Sequence, residues 1–156
     1  GGRTAGRLIP MEPKKPGKRK RPWLRRLMLA ALIVAAYPAS VLTYTWSHVL
    51  QSPLPGGRHG PLDAYRHTLA SAVVAYTFDA RAIDLVNGVM ERRGRRSNAM
   101  DIHNNLIGAG IGSRAARFSD IEPMVAHSVA TGRIDAPSPD QTTWLPPGDW
   151  EEGFAW

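Results

Sequence analysis

The sequence predicts an all-α protein, in which a single transmembrane helix precedes a small helical domain of about four helices. Three observations carry this reading. Residues 27–46 form a long uncharged run, LMLAALIVAAYPASVLTYTW. Downstream of it, apolar residues recur at helical spacing between Pro and Gly punctuation. No segment alternates strongly enough to predict a strand. With the anchor set aside, the 156-residue chain leaves room for one domain of roughly 100 residues.

The anchor is read from length and flanks together. Twenty residues at about 1.5 Å each span roughly 30 Å, the thickness of a bilayer hydrocarbon core. Trp23 and Trp46 bracket the run and Tyr44 sits beside the second, as interfacial aromatics do. The basic cluster at residues 14–26 flanks only one side, so the positive-inside rule keeps residues 1–26 cytoplasmic and translocates the rest. Met11, directly before that cluster, is the natural start, and residues 1–10 are left out of the fold. Pro38 is expected to kink the helix. A cleaved signal peptide ending near Pro38-Ala39-Ser40 is the rival, but Tyr37 and Pro38 are poor residues three before a cut.

The overall charge of +7 does not imply nucleic acid. Residues 1–26 carry ten basic residues and one acid, Glu12, whereas residues 27–156 carry ten Arg against twelve acids. The basicity belongs to the tail, and a nucleic-acid surface would instead spread over one face of the fold. With no cysteine, disulfides, thiolate metal sites and a Cys nucleophile are excluded.

Residues 47–60 read as a Pro/Gly-rich linker that lifts the domain off the bilayer. The domain occupies residues 61–134. Pro61 opens a first helix reaching about Phe78. Residues 80–93 form a second, with Ile83, Val86, Val89 and Met90 on one face, and the arginines at 92–96 suit its C-terminus. Ser97 or Asn98 caps a third helix running to about Arg117. A fourth runs from Ser119 or Asp120 to Thr131 and stops at Gly132. Residues 135–156 read as a mostly extended Pro/Trp-rich tail, docked through Trp144, Trp150 and Trp156.

Polar residues gather where two of these helices begin. Asp63 and His67 share a face, with Arg66 beside them, and no charge follows from Thr68 to Phe78. On the third helix Asp101, Asn104, Asn105, Gly108, Gly112 and Ala115 form one stripe. The two glycines invite close approach by the stripe Asp63, His67, Ala70, Val74, with the helices antiparallel or crossed at their polar ends. His103 points roughly 160° from Asp101 on a regular helix and joins only if the helix starts irregularly. His59 and His127 read as surface or core residues, and Glu91 as a solvated carboxylate paired with Arg95.

Such a set suits His67 and Asp101 as metal ligands or acid–base groups, with His103 as a third ligand. Arg66 would clamp an anion, and Asp63, Asn104 and Asn105 would bind ligand. The rival is a buried polar network that fixes helix packing, because structural networks also gather ionisable groups.

The segments Asp63-Ala64-Tyr65-Arg66-His67 and Met100-Asp101-Ile102-His103-Asn104-Asn105, followed by Gly108, resemble a bacterial domain with a D-A-[F/Y]-R-H helix and an M-D-[L/I]-H-N-N motif. The resemblance covers residues 61–117. It implies a shared site; the bacterial inner-membrane setting, with the domain periplasmic or otherwise extracytoplasmic, is expected from the anchor and its flanking charge. It also implies an acidic residue between the motifs, which Glu91 matches, although Met90 stands where a His is expected. It does not name a reaction.

Two functions therefore stand side by side. One is an envelope-facing, metal-assisted hydrolase acting on a lipid, phosphoester or cell-wall substrate, with a divalent metal as cofactor. The other is a non-catalytic accessory subunit of a membrane-protein complex.

Overall fold

The computed structural model describes residues 1–2, 22–84, 96–135, 138 and 140–151. The chain is mostly helical: α1 (Pro22–Val49), α2 (Pro61–Thr77), α3 (Arg96–Arg114) and α4 (Ile121–Ala130). Short 3-10 turns cover Phe118–Asp120 and Pro147–Asp149, and two-residue strands β1 (Arg133–Ile134) and β2 (Thr143–Trp144) pair in parallel. The expected second helix falls mostly outside the described residues. Its visible start is a helical turn over residues 81–84, where Ile83 is buried. Glu91 and the arginines at 92–95 also lie outside them, as does the basic tail at residues 3–21.

Two compact units divide within α1, Gly1–Val34 and Ala35–Trp156. In the first, the described helix presents Leu27, Met28, Leu29, Leu32, Ile33 and Val34 to the outside. The helix continues through Pro38. Two hydroxyls along it bond back to the helix: Ser40 donates to the Tyr37 carbonyl at 2.7 Å and Thr43 to that of Ala39 at 2.8 Å. Such bonding lets polar residues sit in an apolar helix. Pro22–Val49 is the one described helix long and apolar enough to cross a membrane.

The second unit corrects the linker. α1 runs on to Val49, and its stripe Val41, Thr45, Val49, spaced four apart, is buried in the domain core with Leu69, Ile121 and Val125. Residues 50–60, expected as a linker, fold back on the domain. Leu62 N–H donates to the Pro55 carbonyl at 3.2 Å, and Leu54 packs on the core. The apolar run thus serves as a core helix over its second half, which its composition does not distinguish from a membrane segment.

α2 begins and ends as its sequence dictates, with Pro61 in the first turn and Phe78 N–H closing on the Val74 carbonyl at 3.0 Å. It is buried on most sides, which accounts for the absence of charge from Thr68 onward. Tyr65 donates to Glu122 at 2.8 Å and so ties α2 to α4. Burial and that hydrogen bond push the Tyr65 hydroxyl well above its ordinary pKa, so it remains a donor.

α2 and α3 meet backbone to backbone. A Cβ at Gly108 would lie 2.3 Å from the Thr68 carbonyl oxygen, and one at Gly112 would lie 2.1 Å from that of Ala72. The residues nearest the two glycines are Thr68, Ser71, Ala72 and Ala75, rather than the expected Ala70 and Val74. Contacts advance together along both helices: Asp101 meets His67, Asn105 meets Ser71, and Gly112 meets Ala72. The helices therefore run in the same direction, not antiparallel.

α3 stops at Arg114, three residues short of the expected end, because Arg117 is extended and Asp120 accepts its N–H at 3.1 Å. α4 buries Ile121, Val125 and Val129, again four apart. The tail is more ordered than expected. β2 buries Thr143, Trp144 packs on the core, and Trp150 donates its indole N–H to the Leu145 carbonyl at 2.7 Å. Trp156 lies outside the described residues.

Candidate functional site

The parallel packing of α2 and α3 brings the first turns of α2 against the early part of α3. There His67 Nε2 lies 3.4 Å from Asp101 Oδ1 and 3.6 Å from Asp63 Oδ1. The three ligand atoms fall within 4.8 Å of one another. Both separations exceed ordinary hydrogen-bond length and fall in ion-pair range. They match the roughly 3.4 Å between neighbouring ligands of a tetrahedral ion with bonds of about 2.1 Å.

Asp63 is almost wholly buried and held from two sides. Its Oδ2 accepts the His59 backbone N–H at 2.7 Å, and its Oδ1 accepts from Arg66. Gly60, the N-cap of α2, has no side chain, so Asp63 reaches back to the preceding turn and also complements the helix dipole. His59 takes a left-handed conformation, φ 65°, which the Asp63 bond supports.

Arg66 pairs with Asp63 and lies 5.7 Å from the centre of the Trp46 ring. The residue expected as an anion clamp is thus engaged with Asp63 in this structure.

Asp101 is the group most at odds with its surroundings. Its Oδ1 is shut off from solvent and accepts no hydrogen bond. Burial raises the Asp101 pKa; His67 opposes the shift and the Asp63 carboxylate reinforces it.

The remaining sequence candidates divide. His103 does not join the cluster. Its Nε2 lies 2.7 Å from the Gln141 carbonyl oxygen, as a regular α3 requires, and this corrects its expected role as a metal ligand. Asn104 clasps the tail, donating to the Thr143 carbonyl at 2.8 Å and accepting its N–H at 2.9 Å. Its amide does the work of a strand neighbour, not of a ligand donor. Asn105 accepts from Ser71 at 2.9 Å between the two helices.

His59 was missed by the sequence reading. Its Nδ1 lies 3.8 Å from Asp63 Oδ2 and its Nε2 lies 3.7 Å from Glu151 Oε1. Nothing in a Pro/Gly-rich stretch marks it except its place four residues before Asp63. Glu151 also pairs with Arg58 at 2.8 Å, which fastens the tail beside the site.

Comparisons with family models, with curated proteins and with solved structures give no match to this chain. The chemistry of the cluster therefore rests on its geometry. One imidazole nitrogen and two carboxylate oxygens form a borderline-to-hard donor set suited to Zn²⁺, Mn²⁺ or Fe²⁺. Three such ligands on one ion would leave positions open for water or substrate.

Proposed function

We propose that this chain is a single-pass membrane protein whose Asp63–His67–Asp101 centre binds a divalent metal and hydrolyses a phosphoester or related anionic ester. The N-terminus is cytoplasmic and the domain faces the bacterial envelope. The observation that supports the reading best is the buried, unbonded Oδ1 of Asp101 beside His67 Nε2. An unsatisfied buried carboxylate oxygen costs stability, and a cation held by the three ligand atoms removes that cost.

In this reading Asp63, His67 and Asp101 would hold the ion, which when bound would supply Lewis-acid activation for the hydrolysis. Asp63 is oriented for ligation by Arg66 and by the His59 N–H, as outer partners commonly orient metal ligands. The test is hydrolysis of a chromogenic phosphodiester by the metal-loaded full chain in detergent. Turnover that is lost on chelation and in Asp101→Asn, and retained in His103→Gln, supports the reading; equal turnover in all samples rejects it.

The accessory-subunit reading has its own support in the use of Asn104 and Asn105 as packing devices. A domain that binds no metal and shows no turnover would favour it.

A further inference from the structure

The second half of α1 cannot both pack into the domain and lie free in lipid. Its packed stretch begins at Tyr37, which shares a hydroxyl–hydroxyl hydrogen bond with Thr77 and meets Phe78 edge-on at 4.5 Å. Before Tyr37 the described helix offers residues 22–36, about 22 Å of length against a hydrocarbon core of about 30 Å. Arg25 and Arg26 take up part of even that. The anchor falls short by several ångströms unless the adjoining end of the domain shares the apolar layer.

That end has the composition for it. Phe78 is 67% exposed, Phe118 39% and Tyr76 37%. They form an aromatic collar beside α1 at two levels: Phe78 lies 4.5 Å from Tyr37, and, seven residues further along the helix, Phe118 lies 5.0 Å from Tyr44 and 5.9 Å from Tyr76. Exposed aromatics beside a membrane helix are the residues that settle at the boundary between headgroups and acyl chains. The charged residues just past Phe78, Asp79 and Arg81, bar the collar from sinking to the bilayer centre.

We infer that Tyr76, Phe78 and Phe118 insert into the bilayer interface and complete the span that α1 alone does not. The inference rests on the anchor reading of α1. Because α2 carries His67 eleven residues before Phe78, it also sets the metal centre about 16 Å from the boundary. At that height the centre meets a headgroup or a lipid-linked group rather than an acyl chain.

The chain has no cysteine, so single-site labelling is direct. Phe78→Cys and Phe118→Cys, each carrying an environment-sensitive fluorophore, are reconstituted as full chains in phospholipid vesicles, with Ile33→Cys and Gly148→Cys as controls. Nitroxide on the lipid chains is expected to quench the labels at 78, 118 and 33, and aqueous iodide the label at 148. Quenching at 33 with 78 and 118 behaving like 148 overturns the collar while leaving the anchor. Labels at 78 and 118 shielded from both quenchers mean that a second copy of the chain covers the patch, which also overturns it. No lipid quenching at 33 removes the anchor reading and this inference with it. Two labelled positions guard against one variant misfolding.

Discussion

His67 Nε2 stands 3.4 Å from Asp101 Oδ1, a buried oxygen that accepts no hydrogen bond. A carboxylate oxygen in this position is costly, because burial has removed its water and no hydrogen bond has replaced it.

Asp101→Asn should therefore leave the melting temperature of the metal-free chain unchanged or raised. The pH dependence has a defined sign. The folded pKa of Asp101 is raised, so the folded state holds its proton longer than the unfolded one. Asp101 then lowers stability progressively as pH rises from the ordinary aspartate range through its raised folded value. Thermal melts across that range should show wild type losing ground to Asp101→Asn, with the gap constant at higher pH. A variant that melts well below wild type at every pH would show a structural network instead.

The close approach of α2 and α3 gives a packing test. Gly108→Ala places a methyl group against the Thr68 carbonyl and should destabilise by about 1–3 kcal/mol. Ser113→Leu, at an exposed position of the same helix, should stay within about 0.5 kcal/mol of wild type. Equal shifts in chemical denaturation would mean that the glycines do not hold the interface.

Asn104 is one of the fastenings of the tail. Asn104→Ala removes both hydrogen bonds to the Thr143 backbone, at a cost of about 1–3 kcal/mol for the groups left stranded. Hydrogen exchange at the Thr143 amide should speed up, and limited proteolysis should reach residues near 140. Unchanged protection at Thr143 would show that the strand pairing alone fixes the tail.

Topology is tested by thiol labelling in intact cells. A cysteine replacing Gly148 should react with an impermeant reagent, and one replacing Pro16 should react only after lysis. The opposite pattern would place the domain in the cytoplasm.

Much of the fold was legible because local signals coincide with tertiary need. Pro61 marks the start of α2, and the uncharged stretch after it is the part buried on most sides. The stripe Asp101, Asn105, Gly108, Gly112 faces α2, as its small residues implied. Helix direction was not legible, since a glycine stripe accepts a partner running either way. The packing of the second half of α1 into the domain was hidden because lipid and protein core select the same side chains. The Asn104–Thr143 clasp joins residues 39 apart, and strands of two residues carry no period. His59 depends on a positive φ and a bond to Asp63, neither of which leaves a mark in the sequence around it.

The central claim is that Asp63, His67 and Asp101 together hold one divalent ion. Isothermal titration of the metal-free full chain in detergent with Mn²⁺ or Zn²⁺ tests it most directly. Wild type and His103→Gln should bind about one equivalent, and Asp101→Asn and His67→Ala should bind about tenfold more weakly or worse. Wild type that takes up no metal, or variants that bind as tightly as wild type, would contradict the account.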